Sequence, residues 1–448
     1  MRLRHRLIPA LLALSILPGG CASLNNGSAA KRTPAIERLV PQGEPVWRED
    51  FGDPVLADLL RQADLASLDV KIAMARLEHA AADVKLAKSG RTPQVTVGVE
   101  GAVGGRDFSS STSGMVPPVS AIYEVDLWGR LAKARAAALA EERAADQDVR
   151  AARLLVGAET ARAYVALRLA QTQKASAEQR LALAVRAADL VGLQAREGGV
   201  LPTEVETRRA AVATQQAQVR AAQRAIDEQR IRLGALLGRT EPLAEPKPAP
   251  LAAAPAVGFE VSSDRVSARP DVAAALQRLQ AADAKRAETV AASRPRFTIG
   301  AALGSAEAEL LNLLDTKSLA WVIGANISHN LIDGGAAKAR IRGASADADQ
   351  ADLAYRKAVV QGWGEMRAGV IGLQAAAEAE AEAQAADARA ARALSVAQAR
   401  REAGSAAGLD MAAVRDQGVQ ADAAVAEAGA GRLRARIDAA LACGGACR

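Results

Sequence analysis

From Leu131 to Arg196 the chain runs for 66 residues without a proline, and most of the run is Ala, Leu, Glu, Arg, Gln and Val. Apart from Val, these are strong helix formers. A continuous helix of that length would span about 100 Å, and no compact domain holds such a rod. Gly157 and Gly192 are its only glycines. A second run of the same kind follows Gly335 and reaches about Arg401. Hydrophobic residues make up 50% of the chain, yet aromatics are only 2%, so much of the apolar content is alanine. Alanine buries little surface but lets helices pack closely, which suits coiled-coil rods better than a globular core.

The two runs belong to an internal duplication. Pro93 and Pro295 stand 202 residues apart, as do Gly98 and Gly300. Gly129 and Gly334 stand 205 apart, as do Gly199 and Gly404. A near-constant offset over four landmarks identifies a repeat. Each half reads helix, strand, loop, strand, very long helix, turn, helix. The first half spans 47–241 and the second 263–441, with a Pro/Ala linker over 242–262 expected to be extended and a Cys/Gly tail over 442–448.

The strands show a change of period. After a helix expected over 54–89, Val95, Val97, Val99 and Val103 alternate with Thr96, Gly98, Glu100 and Ala102. Similar alternation fills 119–128, 296–304 and 321–331. Segments of about 10 residues cross a bilayer when tilted, with apolar sides toward lipid and polar sides toward a lumen. An open sheet edge cannot stand in hydrocarbon, because its N–H and C=O groups would lack partners. Four strands cannot enclose a water-filled lumen, whereas twelve from three chains can. The plainer alternative is two surface hairpins on a soluble helical bundle. Tyr123, Trp128 and Trp321 are candidate interfacial anchors, and His329 falls on the lipid side of its strand pattern.

Residues 1–20 read as a secretory signal: Arg2, Arg4 and Arg6, then an apolar run to Leu17, then Gly19 and Gly20 before Cys21. Residues 21–46 are polar and read as a linker. The net charge of +6 is interspersed with acids, with no basic block of the kind nucleic-acid binding needs. Cys443 and Cys447 can form a disulfide after export. A frayed Gly-rich tail is the blander expectation, and chelation of a metal lacks a nearby histidine. The three histidines are isolated, and no phosphate loop, nucleophile motif or metal spacing is present. No enzyme activity, metal or cofactor is therefore expected.

Several motifs carry a family resemblance. They are Trp47-(x3)-Phe51-Gly52-Asp53, Tyr123-Glu124-Val125-Asp126-Leu127-Trp128-Gly129-Arg130, Arg269-Pro270-Asp271-Val272 and Asn330-Leu331-Ile332-Asp333-Gly334-Gly335. The chain resembles the TolC-like outer-membrane efflux proteins, in their NodT-type lipoprotein branch, from about Trp47 to Leu441. It departs from them in Ile332, where a Phe is usual, and in its Cys-bearing tail.

The resemblance implies a mainly α chain with a membrane β-barrel portion. Three copies would form a twelve-stranded barrel above an internally duplicated helical barrel. It implies a passive exit duct for drugs or other small molecules in the outer membrane, extending into the periplasm. Its partners would be a periplasmic adaptor, an inner-membrane pump of the RND type and outer-membrane lipid. Leu17-Pro18-Gly19-Gly20-Cys21 resembles a lipobox, which makes Cys21 a lipidation candidate, and Ala22 after it suggests outer-membrane sorting. The helical tips are candidate adaptor contacts: Arg196, Glu197 and Gly199 in one half, Arg401, Glu402 and Gly404 in the other. Plain helix termination explains the same glycines. Glu204 and Asp410 are gate or lumen candidates, or first-turn acids favoured by the helix dipole. Asp126, Gly129, Asp333, Gly334 and Gly335 are read as turns between barrel and helix. Two alternatives are kept: the same fold serving type I protein secretion or metal-ion export, and a lipid-anchored coiled-coil scaffold without a pore.

Overall fold

The computed structural model describes residues 51–98, 101–104, 112–115, 119–251, 260–305, 319–403 and 408–445. Helix α1 (Pro54–Ala66) opens on Asp53, whose carboxylate accepts from the Val55 and Leu56 amides at 2.8 and 3.3 Å. Its buried Leu56, Leu59, Leu60 and Ala63 follow helical spacing. Buried Ser67 then takes an extended conformation and separates α1 from α2 (Leu68–Ser89). The expected single helix over 54–89 is thus two. The duplication explains the break. In the second half Arg269, also extended, separates the short α5 (Ser263–Ser267) from α6 (Pro270–Ala292). There Pro270 advertises the boundary, whereas Ser67 gives no such signal.

Helix α3 (Arg130–Arg196) has 67 residues, and α7 (Ala336–Glu402) has the same 67. Helices α4 (Pro202–Leu236) and α8 (Gly408–Ala442) have 35 residues each. The long helix α3 passes through Gly157 and Gly192 without a break. It packs along α4, α6, α2, α8 and α1, while α7 packs along α8 and α6. The main core lies midway along α3, between Val149 and Ala170, where α1, α2 and the ends of α4 and α8 converge. A smaller core joins Val266, Val272, Met366 and Cys443 in the second repeat, and elsewhere along α3 buried alanines such as Ala137, Ala140, Ala177 and Ala187 let the rods pack closely.

Tyr164 and Arg168 organise that core. Tyr164 Oη donates to Asp53 Oδ2 at 2.5 Å and accepts from Arg168 Nε at 2.8 Å. The Arg168 guanidinium also binds the Lys247 carbonyl, and Gln171 donates to the Pro246 carbonyl at 2.9 Å. The described part of the linker, 242–251, has no regular structure but is held against α3 by these bonds. Burial, with the Asp53 carboxylate beside it, pushes the Tyr164 phenol well above its ordinary pKa.

A sheet in the order β1-β4-β5-β6 joins the halves: β1 (Gln94–Val97), β4 (Val119–Val125), β5 (Arg296–Ser305) and β6 (Leu319–Ser328), every pair antiparallel. A separate hairpin pairs β2 (Gly101–Gly104) with β3 (Thr112–Met115). The expected strand over 94–103 is therefore divided: β1 ends before Gly98, and 101–104 joins the second hairpin. Glycine in a strand pattern marks such breaks. Strand β4 ends at Val125 rather than 128, and β6 at Ser328 rather than 331, ahead of the turns at 127–129 and 334–335.

The repeat also places matching glycines. Gly238 and Gly444 each follow a repeat's last helix at positive φ, +67° and +66°. A Cβ on Gly238 would lie 2.8 Å from the Ala66 carbonyl oxygen, and one on Gly444 would lie 3.1 Å from Arg269 Cα. Each repeat's end thus docks on its own helix break. Gly238→Ala is expected to cost about 2 kcal/mol through left-handed strain and this contact. Gly192→Ala, in a helix with open space at Cβ, should be neutral or stabilising by about 0.5–1 kcal/mol. Thermal unfolding of the two variants checks the contrast.

Candidate functional site

The sheet has two unlike faces, set by register. Val97, Val119, Leu303 and Trp321 align across the four strands, as do Val95, Ala121, Ala301 and Ile323. Tyr123, Ile299 and Ala325 continue this face, as do Val125, Phe297 and Ile327. It is apolar throughout and open: Val97 is 74% exposed, Trp321 75% and Ile327 65%. The opposite face carries Gln94, Thr96, Ser120, Glu124, Arg296, Thr298, Gly300, Asn326 and Ser328, with Ile122, Ala302 and Val322 as apolar exceptions. Among the described residues, β1 and β6 have no partner strand on their outer sides. His329 lies just past β6 rather than within it. Trp321 and Tyr123 sit on the apolar face. Trp128 also ties the halves together: its Nε1 donates to the Pro295 carbonyl at 2.8 Å, under the Arg294 guanidinium.

Where strands become helices, two aspartates do the same work. The Asp126 carboxylate accepts from the Leu131 and Ala132 amides at 3.0 and 2.9 Å, capping α3. The Asp333 carboxylate accepts from Gly335 at 2.9 Å and Ala337 at 2.7 Å, capping α7. Gly129, Gly334 and Gly335 have positive φ, +72°, +63° and +87°, so the chain reverses there without Cβ strain. Beside the first turn Arg130 forks onto Glu124 at 2.9 and 2.7 Å, on the polar face. Glu288 lies 3.8 Å from Arg130, and Arg296 lies 3.7 Å from Glu124. This cluster joins β4, β5, α3 and α6. Nothing in the spacing of Glu124 and Arg130 alone announces it, since β4 must first be known to end between them.

At the far end of α3, the Gly199 amide donates to the Gln194 carbonyl at 2.8 Å and the Gly198 amide to that of Ala195 at 3.1 Å. Gly198 has φ +73°. This is a Schellman stop, and Gly198, rather than the Gly199 singled out in the sequence, is the glycine the turn requires. Arg196 and Glu197 are exposed beside it. Arg401 and Glu402 are exposed at the end of α7, where right-handed Ala403 replaces Gly198. Gly404 lies outside the described residues. Glu204, in the first turn of α4, pairs with Arg208 at 3.0 Å. Asp410 lies in the first turn of α8, and its side chain is outside the described residues.

Cys21 lies outside the described residues. Cys443 is 2% exposed, packs with Val266, Val272 and Met366, and is disulfide-bonded. The expectation of a frayed tail is corrected as far as Gly445. The Arg269 guanidinium holds the Ala442 carbonyl at 2.5 Å, and the Gly445 amide closes on Ala440 at 2.8 Å. Among the described residues, no group of His, Cys, Asp and Glu is arranged to hold a metal ion. None of the described helices is long and apolar enough to cross a membrane.

Comparison with known proteins gives this geometry a family. The outer membrane efflux protein family model matches residues 59–239 and 261–445, one match for each repeat. The chain belongs to the outer membrane efflux protein family. The pyoverdine export outer membrane protein OpmQ of Pseudomonas putida is 25% identical over 395 residues, covering 84% of this chain and 83% of the relative. The toluene efflux pump outer membrane protein TtgF of the same species is 28% identical over 364 residues, covering 74% of each. The Campylobacter jejuni CmeC outer membrane channel superposes with a TM-score of 0.79 at 21% identity, over 90% of this chain and 89% of that one. The expected fold class, outer-membrane location and efflux role agree with the family. Its members are channel and transport components.

The Asp333 cap carries a pH signature. Hydrogen bonds from the Ala337 and Gly335 amides hold the Asp333 carboxyl below its ordinary pKa. A depressed carboxyl stabilises the fold above its unfolded pKa of about 3.9 and loses that contribution as pH falls through the lower folded value. The melting temperature of Asp333→Asn should therefore lie below wild type at pH 7, and the gap should close toward pH 3. A gap independent of pH would contradict the assignment.

Proposed function

We infer that three copies of this chain close a twelve-stranded barrel in the outer membrane, continued into the periplasm by a helical duct. The carrying observation is the four-stranded sheet with one fully apolar face and two unpaired edges. Such edges have no place in hydrocarbon until another copy covers them, and three copies are the simplest closure. The helices support the same reading. On α7, Leu353, Val360 and Ile371 form a spaced, open stripe, 64%, 70% and 65% exposed. Neighbouring copies would bury it.

The duct is passive, and the driving energy comes from an inner-membrane pump of the RND type joined through a periplasmic adaptor. Relatives named for pyoverdine export and toluene efflux support small-molecule cargo. The adaptor meets the tips at Arg196, Glu197 and Gly199 and at Arg401, Glu402 and Gly404. Glu204 and Asp410 line the narrowed entrance. Cys21 carries the lipid that anchors the mature chain.

Purified full-length protein in a planar bilayer should give discrete conductance steps, and in detergent it should migrate as a heat-sensitive trimer. Absence of both from folded protein would favour a scaffold without a pore. Asp410→Ala or Glu204→Ala should raise conductance or weaken cation preference, because a ring of like charges attracts counterions. Unchanged conductance and selectivity in both variants would remove them from the entrance.

A further inference from the structure

At the foot of the sheet, the turn from α2 into β1 and the turn from β4 into α3 enclose a cavity of about 330 Å³. Lys88, Arg91 and Arg135 line it, together with Tyr123 and Leu131. None of the three cations makes a hydrogen bond or ion pair with any described residue, and the Arg135 Nε is buried without a partner. The two acids on the wall do not answer them. Glu124 is forked by Arg130, and both oxygens of Asp126 cap α3. Lys88 and Arg91 are exposed at the mouth, while Leu131 is buried and touches Gly90, holding the two turns together.

A buried guanidinium nitrogen without an acceptor is costly, and three unanswered cations around one cavity attract an anion. The neighbourhood says which kind. Tyr123 belongs to the apolar face of the sheet, so hydrocarbon begins directly above the cavity. Trp128, in the turn that follows β4, suits the boundary between lipid and water. The chemistry is therefore a phosphate ester with an acyl chain attached.

We propose that this cavity is a binding site for the headgroup of an anionic phospholipid of the leaflet facing the periplasm. Arg135 reaches the phosphate from below, Lys88 and Arg91 close over it, and the acyl chains rise along Tyr123 on the apolar face. Three copies would place three such lipids around the foot of the barrel, pinning the α2–β1 turn to the membrane surface. The proposal rests on the reading of the sheet as membrane-embedded.

The test uses the full-length protein in nanodiscs of mixed phosphatidylglycerol and phosphatidylcholine, with retained lipids counted by native mass spectrometry. Wild type should retain phosphatidylglycerol in about tenfold preference, the scale of a few charge-assisted hydrogen bonds. Lys88→Gln/Arg91→Gln/Arg135→Gln should lose that preference, and the exposed single variant Arg91→Gln should weaken it if the triple variant does not fold. Lys71→Gln/Lys357→Gln, which removes exposed charge elsewhere, should keep it. Equal retention of both lipids by wild type, or an undiminished preference in the triple variant, would overturn the proposal. So would displacement of the lipid by millimolar inorganic phosphate, which would mark a free-anion site, or loss of the trimer with lipid preference intact, which would mark a contact between copies. Conductance is recorded on the same samples. A conducting protein without lipid preference fails this proposal alone, whereas a non-conducting one fails the channel reading beneath it.

Discussion

An unpaired strand edge cannot sit in hydrocarbon, and the rest of this structure depends on that constraint. Among the described residues, one chain supplies a four-stranded sheet with one apolar face and two open edges. A soluble protein blunts such an edge with charge, proline or a covering helix. Here Val95 and Val97 on β1 and Ile323 and Ile327 on β6 stand exposed at the two ends of the described sheet. On the proposed reading the sheet is a third of a closed barrel, and its open edges are what call for further copies. Closure would also give the polar face a purpose, by turning it inward to line water.

The helices repeat the argument in another material. An alanine-rich rod buries little area per residue, so each long helix needs several neighbours along its length. The larger core among the described residues lies in the middle of α3, around Tyr164 and Arg168. That core is where Asp53, the linker and the ends of α4 and α8 meet. The corresponding place in the second repeat is built around Arg269, which joins Asp271, Glu365 and the end of α8. Two buried arginines thus close the two halves of the duplication with different partners. The disulfide at Cys443 reinforces the second closure alone.

Much of this was legible in the sequence because it rests on period and punctuation. Proline and glycine landmarks at constant offset revealed the repeat, and alternation revealed the apolar face. Uninterrupted helix formers revealed rods whose ends the structure moves by only a residue or two. What was not legible depends on contacts between distant residues. Ser67 breaks a helix without a breaker's signature. Gly98 divides a strand whose valines alternate on both sides of it. Gly198, rather than Gly199, carries the turn, because only backbone geometry tells the two apart. Arg130 meets Glu124, and Arg135 comes to line the cavity with Lys88 and Arg91, only once β4 and α3 are joined at the Asp126 turn.

The central claim is that β1 of one copy lies beside β6 of another. Cysteines placed at Thr96 and Asn326, both on the polar face, are far apart in one chain, with β4 and β5 between them. In the membrane-inserted protein, a short thiol cross-linker should join copies into a ladder that stops at three chains. A ladder that runs past three, or cross-links only within single chains, would contradict the closed twelve-stranded barrel.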